Sequence, residues 1–153
     1  MTAILTEEPT FDDDAVAAIV KWFGPESLDH LLSIDNGSLL MDEDVWEAAA
    51  SNTSYGAEVI DKLLRNMPDF PISRHVLRAA IYNDSCGTRV VDLLLLDPRG
   101  RSIPLTIDVL LAAVRWEDGE ILRVLLKHRK NEIPITTTLV EQCTESSIET
   151  LLS

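Results

Sequence analysis

Apolar and polar residues follow a helical period along this chain, and one apolar pattern returns about every 31 residues. Each copy has a large apolar residue, then a residue suited to cap a helix, then another apolar residue four positions after the cap. This is the spacing of a hydrophobic staple at a helix start. The copies read FDDDAVAAIV, MDEDVWEAAA, ISRHVLRAAI, LTIDVLLAAV and ITTTLVEQCT. Five returns in phase predict five helices that begin in the same way.

A second helix is predicted after each of these first helices. The cap residues are separated by 30, 31, 33 and 30 positions, and they are Asp12, Asp42, Ser73, Thr106 and Thr136. An Ala-rich pair follows each cap in the first four copies, and a Leu pair ends each second helix. Glycine precedes the second helix in those four copies, as expected for a tight turn, at Gly24, Gly56, Gly87 and Gly119.

These signals together predict an all-α fold, a short α-solenoid of about five helix-turn-helix units with essentially no sheet. We expect a flexible lead-in over residues 1–10 and a single repeat domain over residues 11–153. The units span about 11–40, 41–70, 71–103, 104–133 and 134–153. Pro71, Pro104 and Pro134 disfavour helix between units and predict short extended connectors. The fifth unit lacks the glycine and the Ala pair. The more polar end units fit capping repeats, and a piece of a longer array fits equally.

Several segments resemble ankyrin repeats. GAEVIDKLLRN and GTRVVDLLLLDPRG are similar to the second ankyrin helix, and VWEAAASN and VLRAAIYN to the first. The period is close to the ankyrin length of about 33 residues. The T-P-L-H tetrapeptide is absent from every copy, so the closer likeness is to divergent ankyrin-like repeats found in tandem in large fungal cytosolic proteins. The resemblance covers residues 11–152 and implies a cytoplasmic protein-binding module. HEAT-like or other helical pairs are the alternative architecture.

The charge of the chain argues against general nucleic-acid binding, which needs a basic footprint. The net charge is −13, and residues 1–60 contain 13 acidic residues and one basic residue. This acidic end is interpreted as a solvated surface, with an acidic docking surface as the alternative. There is no secretory signal, and the longest apolar run, Leu93 to Leu96, is too short to span a membrane. We therefore expect a cytoplasmic protein with no membrane contact.

Residues suited to catalysis or metal binding do not form a recognisable set. The histidines lack metal-ligand spacing, and nucleotide-binding and hydrolase motifs are missing. The acidic clusters at 12–14 and 42–44 could hold calcium, but acids at helix starts are explained by capping and by the helix dipole. Cys86 lies in a predicted turn, where a surface position is expected, and is interpreted as an ordinary thiol. The prediction is no catalytic residue, no metal and no cofactor.

The candidate binding surface lies where each first helix ends, because residue types vary there while the framework does not. Its residues are Lys21, Trp22, Ser51, Asn52, Tyr82, Asn83, Arg115 and Trp116. Ankyrin likeness would place them on the concave side of the stack, and Trp, Tyr and Arg are common at binding hot spots. The alternative for Trp22 and Trp116 is that they pack beneath the turn. Trp46 occupies a staple position and is predicted to be core.

The function predicted from the sequence is a non-catalytic protein–protein interaction module, a scaffold or sensor surface with a protein partner of unknown identity. The alternative is a self-assembly or spacer module of a larger signalling protein. An enzyme with an unrecognised site is the remote alternative. The oligomeric state stays open.

Overall fold

The computed structural model describes residues 11–116 and 119–153, apart from the side chains of Asp13, Asp35 and Asn36, and every regular secondary-structure element in that part of the chain is a helix. This confirms the all-α prediction, while the predicted lead-in over residues 1–10 lies outside the described residues. The α-helices are α1 (Asp13–Trp22), α2 (Pro25–Leu32), α3 (Glu43–Ala50), α4 (Gly56–Asn66), α5 (Arg74–Ile81), α6 (Gly87–Leu96), α7 (Ile107–Val114), α8 (Glu120–Arg129), α9 (Thr137–Gln142) and α10 (Glu145–Leu152). Short 3-10 helices span Asp35–Leu40, Pro98–Ser102 and Lys130–Glu132.

Each of the five first helices begins one residue after its predicted cap. The side chains of Asp12, Asp42, Ser73 and Thr136 accept a hydrogen bond from a backbone N–H in the first turn. These bonds satisfy donors that have no partner inside the helix. Thr106 is different, because its hydroxyl donates to a carboxylate within α7. The cap positions read from the sequence are therefore the helix starts.

The first helices pack on one another in chain order, α1 on α3, α3 on α5, α5 on α7 and α7 on α9. The second helices do the same from α2 to α10, and the two helices of a unit pack together in the first four units. Ala49, Ala80 and Ala113 are completely buried in the first helices. Small side chains at these positions allow neighbouring helices to approach closely.

The fifth unit departs from the expected staple. Ile135 is 61% exposed and Val140 is 42% exposed, although both were predicted to pack against each other. Helix α9 has only six residues and packs mainly on α7, so it provides little surface to cover them. Leu152 of the last Leu pair is 81% exposed for a similar reason, since it lies at the end of α10.

The connectors are less extended than predicted. Three of them contain a 3-10 helix. Extended backbone occurs before such a helix at Ile34 and Asp97, and directly before a first helix at Ser73, with φ −95° and ψ 166°. Pro98 can start such a turn because its missing N–H would have no partner there. Proline near a unit boundary therefore correctly indicated that an α-helix ends there, but it did not indicate the conformation of the connector.

Arg99 and Arg129 each donate hydrogen bonds to backbone carbonyls in or beside a neighbouring connector, and we call them the connector arginines. Arg99 donates hydrogen bonds to the carbonyls of Leu64, Met67 and Phe70, at 3.1, 2.6 and 2.8 Å. Arg129 is only 8% exposed and donates to the carbonyls of Gly100 and Ile103, in the connector that precedes its own helix pair. A guanidinium has five donors in a rigid plane, which suits it to this task.

Acidic residues hold the connector arginines in place. The guanidinium of Arg99 is 2.8 and 2.9 Å from the two carboxylate oxygens of Asp97, and Arg129 pairs with Glu132. The hydrogen bond from Arg99 lowers the pKa of Asp97. Trp46 supports the same region, because it is fully buried, donates to the Leu40 carbonyl at 2.9 Å and stacks on an aromatic ring. This confirms the prediction that Trp46 is core.

No helix in the described part of the chain is both long enough and apolar enough to cross a membrane.

Ala80→Glu should abolish cooperative unfolding, because it places an unpaired charge at a completely buried position between first helices. Ala18→Glu is the matched control on the exposed side of α1, and it should change the free energy of unfolding by no more than about 0.5 kcal/mol. Circular dichroism melts would measure both. An Ala80→Glu protein that melts like wild type would contradict the placement of Ala80.

Asp97→Asn should reduce the free energy of unfolding by about 1–3 kcal/mol at neutral pH, because the Arg99 charge loses its partner while an acceptor oxygen remains. Since the folded-state pKa of Asp97 is lowered, its contribution is present above the unfolded pKa and is lost on acidification. The difference between variant and wild type should therefore close as the pH falls below about 4. Urea titrations across this range would measure it. Asp61→Asn, in the exposed pair with Arg65, is the control and should change little. A difference that does not vary with pH would refute this role.

Candidate interaction surface

The eight residues proposed from the sequence fall into two columns, which lie nine and ten positions after each helix cap. The ninth-position residues are Lys21, Ser51, Tyr82 and Arg115, and all are exposed or half-buried. The tenth-position residues are Trp22, Asn52, Asn83 and Trp116, which behave differently from one another. The structure therefore separates two columns that the sequence analysis treated as one surface.

Asn52 and Asn83 do not belong to an accessible surface, and this part of the prediction is corrected. They are 1% and 5% exposed. The Nδ2 group of Asn52 donates to the carbonyls of Val20 and Phe23, both at 2.9 Å. Asn83 donates in the same way to the carbonyls of Ala50 and Asn52, both at 2.9 Å. Each asparagine thus binds the helix end of the preceding unit.

The side-chain oxygen of each asparagine accepts hydrogen bonds within its own turn. The Oδ1 atom of Asn83 accepts from the backbone N–H groups of Ser85 and Cys86, both at 3.1 Å. A side chain that donates and accepts at once satisfies buried backbone groups on two units. Gly87 completes the turn, because a Cβ atom there would lie 2.5 Å from the Ala80 carbonyl oxygen.

Units four and five make the same connection with different side chains. Trp116 donates from its indole nitrogen to the Ile81 carbonyl at 2.7 Å, and Ser147 donates from its hydroxyl to the Val114 carbonyl at 2.9 Å. We call Asn52, Asn83, Trp116 and Ser147 the turn ladder. The alternative interpretation of Trp116, that it packs in the turn, therefore describes it well. It does not describe Trp22, which is 67% exposed.

Cys86 is half-buried beside the turn ladder. Its Sγ atom lies 3.2 Å from the carbonyl oxygen of Asn52 and 3.4 Å from Nδ2 of Asn83. The suggestion that this thiol is at the surface is therefore corrected, because it contributes to the contact between two units. Burial raises the pKa of the second thiol, Cys143.

Tyr82 lies between two clefts on the side of the molecule formed by the first helices, which we call the first-helix side. One cleft is lined by Glu47, His75, Arg78, Ala79 and Tyr82, and the other by Tyr82, Ala112, Arg115 and Trp116. Tyr82 itself is 52% exposed, and the guanidinium of Arg78 lies 5.6 Å from the centre of its ring. These clefts bring together Tyr82, Arg115 and Trp116 from the predicted surface, and add residues of α3 and α5.

Charged side chains are distributed unequally between the two sides of the molecule. Every ion pair among the described residues joins side chains of second helices or connectors, namely Lys62–Asp29, Arg65–Asp61, Arg89–Glu58, Arg99–Asp97, Arg123–Glu120, Lys127–Asp92, His128–Asp92 and Arg129–Glu132. On the first-helix side, Arg74, Arg78 and Arg115 are exposed and form no ion pair with a described residue. The sequence analysis did not identify Arg74 and Arg78, although their four-residue spacing on a helix was a usable signal.

Carboxylates near the clefts have shifted pKa values. Burial raises the pKa of Glu47, and the neighbouring charge of Glu43 adds to this effect. The hydroxyl of Thr106 donates a hydrogen bond that lowers the pKa of Asp108. No group of three or more potential metal ligands occurs among the residues that the structure describes. The acidic residues Asp12 and Asp42 instead cap α1 and α3.

Comparison with known proteins adds one similarity. The model of a family described as a domain of unknown function (DUF7104) matches residues 41–59 and 94–121, which together make up less than half of the chain. Each matched segment contains a first helix, α3 or α7, together with residues on both sides of it. No curated protein and no solved structure shows significant similarity to the chain.

Asn83→Ala should reduce the free energy of unfolding by about 2–4 kcal/mol, because it leaves several buried backbone groups without a partner. Asn66→Ala is the matched control. Asn66 is exposed and bonds only to the Lys62 carbonyl of its own helix, so its loss should be below about 0.5 kcal/mol. Urea denaturation would measure both. Equal effects of the two substitutions would argue against the ladder as a source of stability.

Proposed function

We propose that this protein is a non-catalytic protein–protein interaction module, a cytoplasmic scaffold or sensor surface built as an ankyrin-like stack of helix pairs. One observation carries the proposal. Residues nine positions after the first four caps differ in type and are exposed or half-buried, while Asn52 and Asn83, which follow two of them, are buried and structural. Such a division between a fixed framework and variable side chains is how stacked repeats provide extended binding surfaces.

The packing order supports the stack. First helices follow first helices and second helices follow second helices, which is the arrangement expected of tandem units that each contact their neighbours. The turn ladder and the connector arginines repeat with nearly the same spacing as the helix caps. The resemblance to ankyrin repeats provides further support and suggests that the first-helix side is the binding side.

The exposed aromatic residues support a binding role for this side. Tyr82 and Trp22 are 52% and 67% exposed, and Tyr82 lies between two clefts. Aromatic and arginine side chains supply a large share of the affinity in many protein interfaces. The proposal assigns no catalytic step to these residues, because their clefts are open and contain no nucleophile paired with a base.

Self-assembly is the second candidate, and exposed apolar residues at both ends of the chain favour it. Trp22 and Phe23 are exposed in the first unit, and Ile135 and Leu152 in the last. Acidic residues occur in both of these units, at positions 12, 14 and 26 and at positions 141, 145 and 149. Like charges oppose end-to-end docking of two copies, so this candidate ranks below the first. Particle size that increases with concentration in sedimentation experiments would favour it.

Tyr82→Ala combined with Arg115→Ala should leave folding near wild type and weaken capture of the partner from an extract of the source cell. Both side chains are exposed, so their removal should affect contacts made with another molecule. Tyr55→Ala combined with Arg65→Ala is the matched control, because these residues are also exposed but belong to the second helix α4, Tyr55 at its N-cap and Arg65 in its last turn. Quantitative mass spectrometry of captured proteins would compare the variants. Capture that both pairs reduce equally, or that neither reduces, would remove these columns from the site.

A further inference from the structure

Three exposed arginines lie on the first-helix side. Arg74 and Arg78 lie on α5, and Arg115 directly follows α7. None of the three forms an ion pair with a described residue, although the second-helix side pairs most of its basic residues. An exposed guanidinium that the fold does not use is available to an external anion.

The side chain of Tyr82 lies between two of these arginines. Arg78 lies in one cleft and Arg115 in the other, and Tyr82 lines both. The contact between the Arg78 guanidinium and the Tyr82 ring reduces the conformational freedom of both side chains before any ligand binds. Ala112 lines the second cleft, where its small side chain leaves space between Tyr82 and Trp116.

The described carboxylates near these arginines form no ion pair with them. The hydroxyl of Thr106 donates a hydrogen bond that lowers the pKa of Asp108, and the nearby charges of Arg74 and Arg78 lower it further. Glu47 shares a cleft with Arg78 and forms no ion pair with it. The described residues that line the two clefts therefore include two arginines, Arg78 and Arg115, and one carboxylate, Glu47.

We propose that the surface formed by Arg78, Tyr82, Ala112, Arg115 and Trp116 binds an acidic peptide segment of another protein. We call this surface the arginine cleft, and the proposal rests on the proposed interaction function. Carboxylates of the segment pair with Arg78 and Arg115 on the two sides of Tyr82. A large apolar side chain between these carboxylates occupies the space over Ala112, between Tyr82 and Trp116.

The charge around the arginine cleft favours a short acidic peptide over a nucleic acid. A nucleic acid gains affinity from many phosphate contacts along its length, and the cleft offers only a few arginines. Helix α3, which packs directly on α5, carries the carboxylates of Glu43, Asp44 and Glu47. These carboxylates would repel a long polyanion but would leave space for a few acidic residues.

The test is selection of a phage-displayed library of random peptides, about twelve residues long, on the wild-type chain. Phage that also bind the Arg78→Ala, Arg115→Ala double variant are removed. The expected peptides contain two or more Asp or Glu residues around a Trp, Phe or Leu residue. A fluorescent synthetic copy should bind about tenfold more weakly to the double variant, and its affinity should fall as salt is added.

Two further variants separate recognition from structural damage. Arg65→Ala combined with Arg123→Ala removes two exposed arginines of second helices, and it should change peptide affinity by less than about twofold. Arg78→Glu combined with Arg115→Glu should lose the acidic peptide and bind a copy in which Lys replaces each Asp and Glu. If the two Glu substitutions had only unfolded the surface, the peptide with Lys in place of each Asp and Glu would not bind either.

The outcomes that overturn the inference are distinct from those that overturn the proposed function. Neutral or basic peptides that depend on Tyr82 would refute the acidic partner but would leave the interaction module standing. A single-stranded oligonucleotide that binds through Arg78 and Arg115 where acidic peptides do not would replace the peptide with a nucleic acid. A dimer that dissociates on loss of these arginines would make a second copy the occupant. Failure to select any peptide would refute the inference, and the extract capture experiment would then decide the proposed function separately.

Discussion

The structure depends on how the backbone carbonyl groups at the end of each first helix are satisfied. A helix leaves its last carbonyls without an internal partner, and a buried carbonyl without a hydrogen bond is costly. In four units the carbonyl eight residues after the cap, at Val20, Ala50, Ile81 and Val114, accepts a hydrogen bond from a side chain of the following unit. That side chain lies in a turn in three cases and in the first turn of α10 in the case of Ser147. Each first-helix end is thus completed by the following unit, so one set of bonds links the stability of a helix end to the packing of neighbouring units.

This constraint also separates structural positions from functional ones. The tenth residue after the cap turns inwards to make the ladder in the second, third and fourth units, so the ninth is left outside. Tyr82 and Asn83 illustrate the division, since they are adjacent in sequence and are 52% and 5% exposed. Variation at the ninth position does not disturb the ladder. The connector arginines fasten the units at a second place, where Arg99 and Arg129 bond to connector carbonyls.

Electrostatics follow the same division. Side chains of second helices and connectors pair with one another, and this uses most of their positive charge. The first-helix side carries exposed arginines on α5 and after α7 that form no ion pair with a described residue, and α3 next to them is acidic. Exposed ion pairs contribute little to stability, so leaving these charges without one has little structural cost. Under the proposed function these arginines serve recognition, where a partner with complementary charge gains specificity and rate of association.

The sequence by itself determined the helices, their starts and the core, because capping, staple spacing and apolar periodicity depend on residues that are close along the chain. The buried Trp46 was foreseen on that basis. Only the tertiary structure decided which side chains cross between units. Asn52 and Asn83 are polar residues in turns, where sequence reasoning expects exposure, but their partners lie 29 to 33 residues away. A contact at that distance depends on how neighbouring units pack, which no local pattern encodes, and the surface left for binding is known only once those contacts are known.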